Sequence, residues 1–323
     1  MQRLFFLLFF CISAAKADVV LLRDSTSAIN CDVISWSKEG LRISRSEQAA
    51  QEVIPWHSIR DVEGESVGVG LIAHLQRGEM LWRAKTRLLR GDIALAAPLF
   101  REMYLQLKSA DGEDAYLASE GLLRCNLAIG NLEDSVGPWL SVVDHLQANQ
   151  KSQLQELSPI VDTTTFLCPH LPPVWNGFVV HKKLKSLTVK SEVARAYYEL
   201  LTSPIKKTAQ PLSGPAFLQD VLFIMDSGDY TSTLEIEKLQ EWQQVWFLYA
   251  QAIQLLTLDK QDEALLKFAE IAALHGKTQP WLAGASMFAL SNTFTKAGKD
   301  KISKNIMNEF SRVLQNHPLR KER

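Results

Sequence analysis

Seven of the chain's 12 prolines fall between Pro159 and Pro215. Proline has no backbone N–H, and its ring collides with the preceding helical turn, so no helical array can run unbroken through this stretch. The chain must therefore hold two helical blocks separated by an insertion, at 147–215. The residue before each proline is biased to extended backbone. The string from Asp162 to Trp175 also carries Phe166, Leu167, Leu171, Val174 and Trp175, which is too apolar for a free linker. The expectation is an extended strap packed over helices. A flexible linker and a proline-rich partner-binding segment are the alternatives. Inside the insertion, SEVARAYYELL predicts a helix near 191–203, with Ser191 as N-cap and Pro204 ending it.

The flanking blocks share a landmark. Gly91-Asp92 is followed at +5 by Ala96 and at +9 by Phe100. Gly130-Asn131 is followed at the same distances by Ser135 and Trp139. In the second block, Asp259-Lys260 leads to Ala264 and Phe268, and Gly298-Lys299 leads to Ser303 and Met307. The spacing from Gly91 to Gly130 equals that from Asp259 to Gly298, so both blocks repeat with one period. Gly228-Asp229-Tyr230 is a weaker copy. The physical reading is a helix hairpin. A glycine or small polar pair ends one helix, a small residue admits the partner helix closely, and a large residue one turn later fills the gap beside it. At −7 from the turn stand Ala84, Leu123, Ala252 and Ser291. One hairpin cannot bury its apolar face alone, so hairpins stack.

The strings GDIALAAPLF, GNLEDSVGPW and DKQDEALLKF, with QNHP near the end, resemble the tetratricopeptide-repeat superfamily. That family repeats at ~34 residues. The wider spacing between Gly91 and Gly130 implies longer helices. The resemblance implies an α-solenoid of antiparallel hairpins that offers a concave surface to a protein partner. Two hairpins are expected at 65–146 and two to three at 216–318, with a basic tail at 319–323. Large aromatics placed near such a face are Trp82, Tyr116, Trp242, Trp246 and Trp281, with Trp175 on the strap. An aromatic at helical spacing serves equally as core.

Residues 18–64 read differently. VVLLRD, INCDVISW, LRISRS, QEVIPW and SIRDVEG are short runs rich in Val and Ile, broken by turn residues every 8–12 positions. About 47 residues cannot hold a large core, so the expectation is a small five-stranded barrel resembling the SH3-like or Sm-like superfold.

Met1 to Ala17, MQRLFFLLFFCISAAKA, has a basic start, a short apolar run and an Ala15-Lys16-Ala17 cleavage site. It reads as a Sec-type signal peptide cut after Ala17, which predicts an extracytoplasmic location, periplasmic or secreted. The apolar run is too short to span ~30 Å of hydrocarbon. Loss of Arg3 and Lys16 takes the formal charge from −1 to −3, with 33 basic against 36 acidic residues. No basic footprint for nucleic acid exists at that balance. Cys31, Cys125 and Cys168 remain, an odd number whose pairing the sequence leaves open.

Catalytic strings are present but lack their context. Gly64-Glu-Ser66-Val-Gly68 fits the hydrolase elbow without an alternating βα pattern after it. Gly68-Val-Gly70-Leu-Ile-Ala73 fits the dinucleotide string without a strand before it. A glycine hinge of Gly64, Gly68, Gly70 and Gly78 is the plainer reading. Cys168-Pro169-His170 has no second Cys or His pair at ligand spacing. Asp162 beside Thr163–Thr165 reads as a turn cluster, and Lys182, Lys183, Lys185 and Lys190 as a solvated face. The sequence therefore points to a mainly α, non-catalytic interaction scaffold with no cofactor and no metal. An enzyme with a site between barrel and helices or under the strap, and a purely structural envelope component, are the other readings.

Overall fold

The computed structural model describes residues 18–46, 49–64, 68–172, 216–226, 232, 234–317 and 319. The expected signal peptide, Ser66, Trp175, the 191–203 helix, the lysine face and the Gly228 turn lie outside them. The chain divides into two compact units between Trp82 and Arg83.

The first unit is a five-stranded antiparallel sheet followed by the start of a helix. The strands are β1 (Asp18–Leu22), β2 (Ala28–Trp36), β3 (Leu41–Ser44), β4 (Glu52–Ile54) and β5 (Ile59–Glu63), in the spatial order β4-β3-β2-β1-β5. All five fall on the runs read from sequence. β2 is shared: Ala28–Cys31 pair with β1, and Asp32–Trp36 pair with β3 across a bulge between Val33 and Ser35. Alternation drives Val20, Cys31, Leu41, Ile43 and Ile59 to one buried face. Leu71 of α1 (Val69–Leu89) joins that core. Gly78 is a packing residue in α1, because a Cβ there would collide with the Trp56 carbonyl. His74 lies tilted against Trp56, ring centroids 4.8 Å apart, and its Nδ1 lies 2.6 Å from Arg77 Nη2.

The second unit holds α2 (Ile93–Leu107), α3 (Glu113–Ala128), α4 (Val136–Gln147), α5 (Ala216–Asp226), α6 (Glu241–Thr257), α7 (Gln261–Leu274), α8 (Pro280–Lys296) and α9 (Asp300–Val313). Helices adjacent in sequence pack on one another through α2-α3-α4 and again through α5-α6-α7-α8-α9. The four landmark turns are built alike. Gly91, Gly130 and Gly298 take φ of 83°, 72° and 71°, and Asp259 takes 59°. In each, the left-handed residue donates to the carbonyl three residues back, and the next residue donates to the carbonyl five back, at 2.8–3.2 Å. This left-handed cap satisfies carbonyls that a helix end otherwise leaves open.

The positions keyed to those turns are buried throughout. Ala96, Ser135, Ala264 and Ser303 sit at +5, Phe100, Trp139, Phe268 and Met307 at +9, and Ala84, Leu123, Ala252 and Ser291 at −7. In the last hairpin the two small residues touch, with Ser291 and Ser303 hydroxyls 2.7 Å apart. Gly121 serves the same closeness between α2 and α3, since a Cβ there would overlap the Phe100 ring.

The described part of the proline-rich segment is packed. Leu154, Val161, Leu167, Cys168 and Leu171 are buried, and all but Leu154 belong to the same apolar cluster as Trp139 of α4 and Trp246 of α6. Trp139 Nε1 donates to the Phe166 carbonyl at 3.1 Å, and Trp246 Nε1 donates to the Pro169 carbonyl at 3.1 Å. The strap thus ties the two helical blocks into one core. After α9, Asn316 Nδ2 donates to the Ile129 carbonyl at 2.6 Å, which joins the end of the chain to the α3–α4 turn.

One buried hydroxyl in α8 has no partner among the described residues. Ser286 Oγ is unsatisfied, whereas Ser291, about a turn and a half further along, is bonded. A lone buried hydroxyl costs ~1–3 kcal/mol of desolvation without return. Ser286→Ala is therefore expected to leave stability unchanged or raise it by about 1 kcal/mol, and Ser291→Ala to lower it by about 1 kcal/mol. Urea unfolding of the two variants side by side checks the contrast.

Candidate functional site

Among the described residues, the second unit holds a half-open, mostly apolar cleft of about 360 Å³ between α3, α4 and residues 150–163. Tyr116, Glu120 and Arg124 recur every four residues on α3 and so share one helix face, which lines the cleft. Val142 and Leu146 of α4 form one wall, and Leu154, Leu157, Ile160 and Val161 form the other.

Glu120 is 3% exposed and fully engaged. Its Oε1 accepts from Arg124 Nε at 3.0 Å and Nη2 at 2.7 Å, and its Oε2 accepts from Ser152 Oγ at 2.5 Å. Arg124 Nη2 also donates to the Ser158 carbonyl at 2.8 Å. A buried carboxylate held this way anchors the loop to α3. The Tyr116 ring stacks on His145 at 5.4 Å, 17° from parallel. Burial raises the Tyr116 hydroxyl well above the ordinary phenol range, and the Glu120 charge adds to it, so it stays a neutral O–H. A second concavity of about 180 Å³ lies beside α6 and includes Glu241, Glu270 and His275. Among the described residues no group of three or more His, Cys, Asp or Glu could hold a metal ion. No described helix is long and apolar enough to cross a membrane.

Comparison with family models, curated proteins and solved structures finds no match.

The aromatics singled out from sequence divide. Tyr116, Trp246 and Trp281 are core side chains, at 3%, 1% and 4% exposure. Trp82 and Trp242 are half-buried. Trp82 receives the Arg23 guanidinium over its ring at 5.2 Å within the first unit. Trp242 stands edge-on to Trp246 at 4.9 Å and donates Nε1–H to Gln240 Oε1 at 2.7 Å. Helical spacing marks an aromatic as inward without saying which inward residues line a free surface: Trp246 and Trp281 belong to the core, and Tyr116 is buried yet borders the α3–α4 cleft.

Cys168-Pro169-His170 makes no nucleophile. Burial pushes the Cys168 thiol up to about 12, and the His170 Nδ1–H donates to the Thr278 carbonyl at 2.9 Å. Cys125 is likewise raised to about 12, and all three described cysteines are buried and outside any disulfide. Asp162 is a turn residue: its Oδ1 accepts from the Thr164 and Thr165 amides and the Thr165 hydroxyl. Burial alone would raise its pKa, yet these bonds and one from Gln240 hold it below the usual value.

Sequence reasoning passes over Glu120, Arg124 and Ser152. The Glu-to-Arg spacing of four is the available signal. It reads as an ordinary surface pair, because nothing local reveals that a loop beyond the next helix will cover it.

One further surface stands out. On α7, Leu266 is 72% and Leu274 71% exposed. Ala269 and Ala273 are also exposed, so Leu266, Ala269 and Ala273 form an i, i+3, i+7 stripe with Leu274 beside it.

Proposed function

We propose that the chain is a non-catalytic protein–protein interaction scaffold, working in an extracytoplasmic space after removal of Met1 to Ala17. In this reading the hairpins are of tetratricopeptide-like build. They follow a small SH3-like barrel, in which the single-turn helix Trp56–Ser58 links the edge strands β4 and β5. The four alike turns and their keyed small and large residues support the repeat reading.

The α7 stripe carries the functional reading. Scattered exposed leucines are ordinary, but an apolar row along one helix, on a face opposite buried Ala264, Phe268 and Ile271, is a surface that a partner can cover. Such rows bind with little cost to the free fold, since exposed substitutions shift stability by ~0.5 kcal/mol or less.

A photoreactive residue at position 266 of the full chain, used in its native compartment, is expected to trap one defined protein. Leu266→Glu with Leu274→Glu should weaken that capture at least tenfold and leave the unfolding free energy within about 0.5 kcal/mol. Capture that survives the double variant, or that matches a photoreactive residue at exposed Arg101, would sink the reading.

A further inference from the structure

Two exposed apolar rows in the second unit are flanked by opposite charge. The first is the α7 row of Leu266, Ala269 and Ala273. Asp262, Glu263 and Glu270 stand at i−4, i−3 and i+4 from Leu266, so exposed carboxylates border the row on both sides. Lys267 is drawn aside, its Nζ donating to Gln251 Oε1 at 3.1 Å, and Lys260 reaches Glu263 only at 3.9 Å. From residue 235 to 274 the chain holds seven acidic residues, three lysines and no arginine, a formal charge of −4 against −1 for the whole sequence.

The second row lies on α9. Ile302 and Val313 are 45% and 52% exposed, and half-buried Ile306 stands between them on the same flank. Exposed Lys296, Lys299, Lys301 and Lys304 surround the start of this helix. Arg312 is paired with Glu309 at 2.5 Å, which leaves Asp300 as the one acid against four lysines between residues 296 and 313.

Both helices pack on α8, yet within one copy neither row covers the other, and among the described residues no ion pair joins them. An acid-flanked apolar row is matched by a base-flanked one, and this chain carries both. A basic helix from another protein would cover α7 and leave the α9 row open, whereas a second copy covers the two together. We propose, resting on the α7 docking face argued above, that its partner is a second copy of this chain, with α7 of each copy covered by α9 of the other. Because α7 and α9 share α8 as a neighbour, one two-fold axis makes both contacts at once and closes the assembly at two copies.

Sedimentation equilibrium of the full chain over a wide concentration range is expected to show a reversible monomer–dimer step. Glu263→Lys with Glu270→Lys, and separately Lys301→Glu with Lys304→Glu, should each weaken dimerisation at least tenfold, since like charges then meet at both contacts. All four positions are exposed, so the circular dichroism of each variant should match wild type. Mixed in equal amounts, the two variants should pair with each other about as tightly as wild type pairs with itself, because opposite charges meet again at both contacts. Should a variant fail to fold, the wild-type background still decides: a photoreactive residue at position 266 should yield a cross-linked dimer whose link maps by mass spectrometry to α9 of the second copy. Monomer at every concentration, association growing past two copies, a dimer indifferent to both variants, or a mixture no tighter than its components would each overturn the proposal. Capture of a different protein at position 266 by a monomeric chain would overturn the second copy and leave the α7 docking face standing, whereas no capture there at all would overturn both.

Discussion

Trp246→Ala is expected to lower the unfolding free energy by about 4–5 kcal/mol, the largest loss from any single side chain of the helical unit. The side chain is 1% exposed and packs its ring against Trp242 and Phe217. Its Nε1–H donates to the Pro169 carbonyl at 3.1 Å and to Gln279 Oε1 at 3.2 Å. Truncating a buried tryptophan costs ~3–5 kcal/mol through lost transfer energy and the cavity left behind. A strap carbonyl left unpaired adds ~1 kcal/mol or more. Trp246→Phe isolates the second effect, because an aromatic ring stays and the N–H goes. It should cost about 1–2 kcal/mol. Against a typical total of ~5–15 kcal/mol, the alanine variant removes a large share of the fold.

Where the loss appears matters as much as its size. Trp139 and Trp246 hold the strap at two points three residues apart, the Phe166 and Pro169 carbonyls. Proteolysis in native buffer should therefore begin between residues 159 and 172 in Trp246→Ala while the wild type stays intact there. Urea unfolding followed by tryptophan fluorescence and by far-UV circular dichroism gives the free energy. A loss below about 1 kcal/mol, or a strap as resistant as wild type, would show that the two blocks are not joined through this residue.

The strap also marks the boundary of what the sequence could disclose. Its burial is readable from composition, since Phe166, Leu167 and Leu171 are too apolar for solvent, and Leu167 and Leu171 are buried. Its partners are not. Phe166 sits at φ 58°, a backbone state that no string of residues announces, and it aims its carbonyl at Trp139. The four turns are legible because their signal is local: a residue tolerant of positive φ, then small and large residues at fixed distances along one chain segment. The five strands are legible for the same reason. The carboxylate anchor of the cleft is not, because Glu120 and Ser152 are far apart in the chain and meet only through the loop that the anchor itself secures. Among aromatics, the period says inward or outward along one helix, but Trp246 and Trp242 stand one turn apart on the same face and differ in exposure. Both rings also meet Phe217, at 5.6 and 6.0 Å, a residue from beyond the proline-rich segment that no local period announces.

The closure at the chain's end predicts the pH response. His317 is 3% exposed. Its Nε2–H donates to the Trp281 carbonyl at 3.0 Å, and its Nδ1 accepts the Leu319 amide at 3.2 Å. The ring lies edge-on to Phe310 and Trp281, and only glycine fits at position 284, where a Cβ would collide with the imidazole. A second proton would have to enter at Nδ1, facing an N–H, and its charge would be buried. Burial accordingly pushes the histidine down to about 4, although the bond to Trp281 opposes the shift. The unfolded chain takes up that proton near 6.5. Between those values the unfolded state binds more protons than the folded one, so stability rises with pH there. It is fully present above about 6.5 and is lost as pH falls towards 4, by about 3 kcal/mol in all and about 2 kcal/mol between pH 7 and pH 5. His317→Gln keeps a neutral polar side chain and cannot titrate. It should cost about 1–2 kcal/mol at pH 7, and the difference from wild type should shrink or vanish by pH 5. Urea midpoints for both proteins at pH 7, 6, 5 and 4.5 give the comparison. Parallel curves for the two proteins would show that His317 is not the group that titrates, whereas convergence on acidification places the loss at this one buried imidazole.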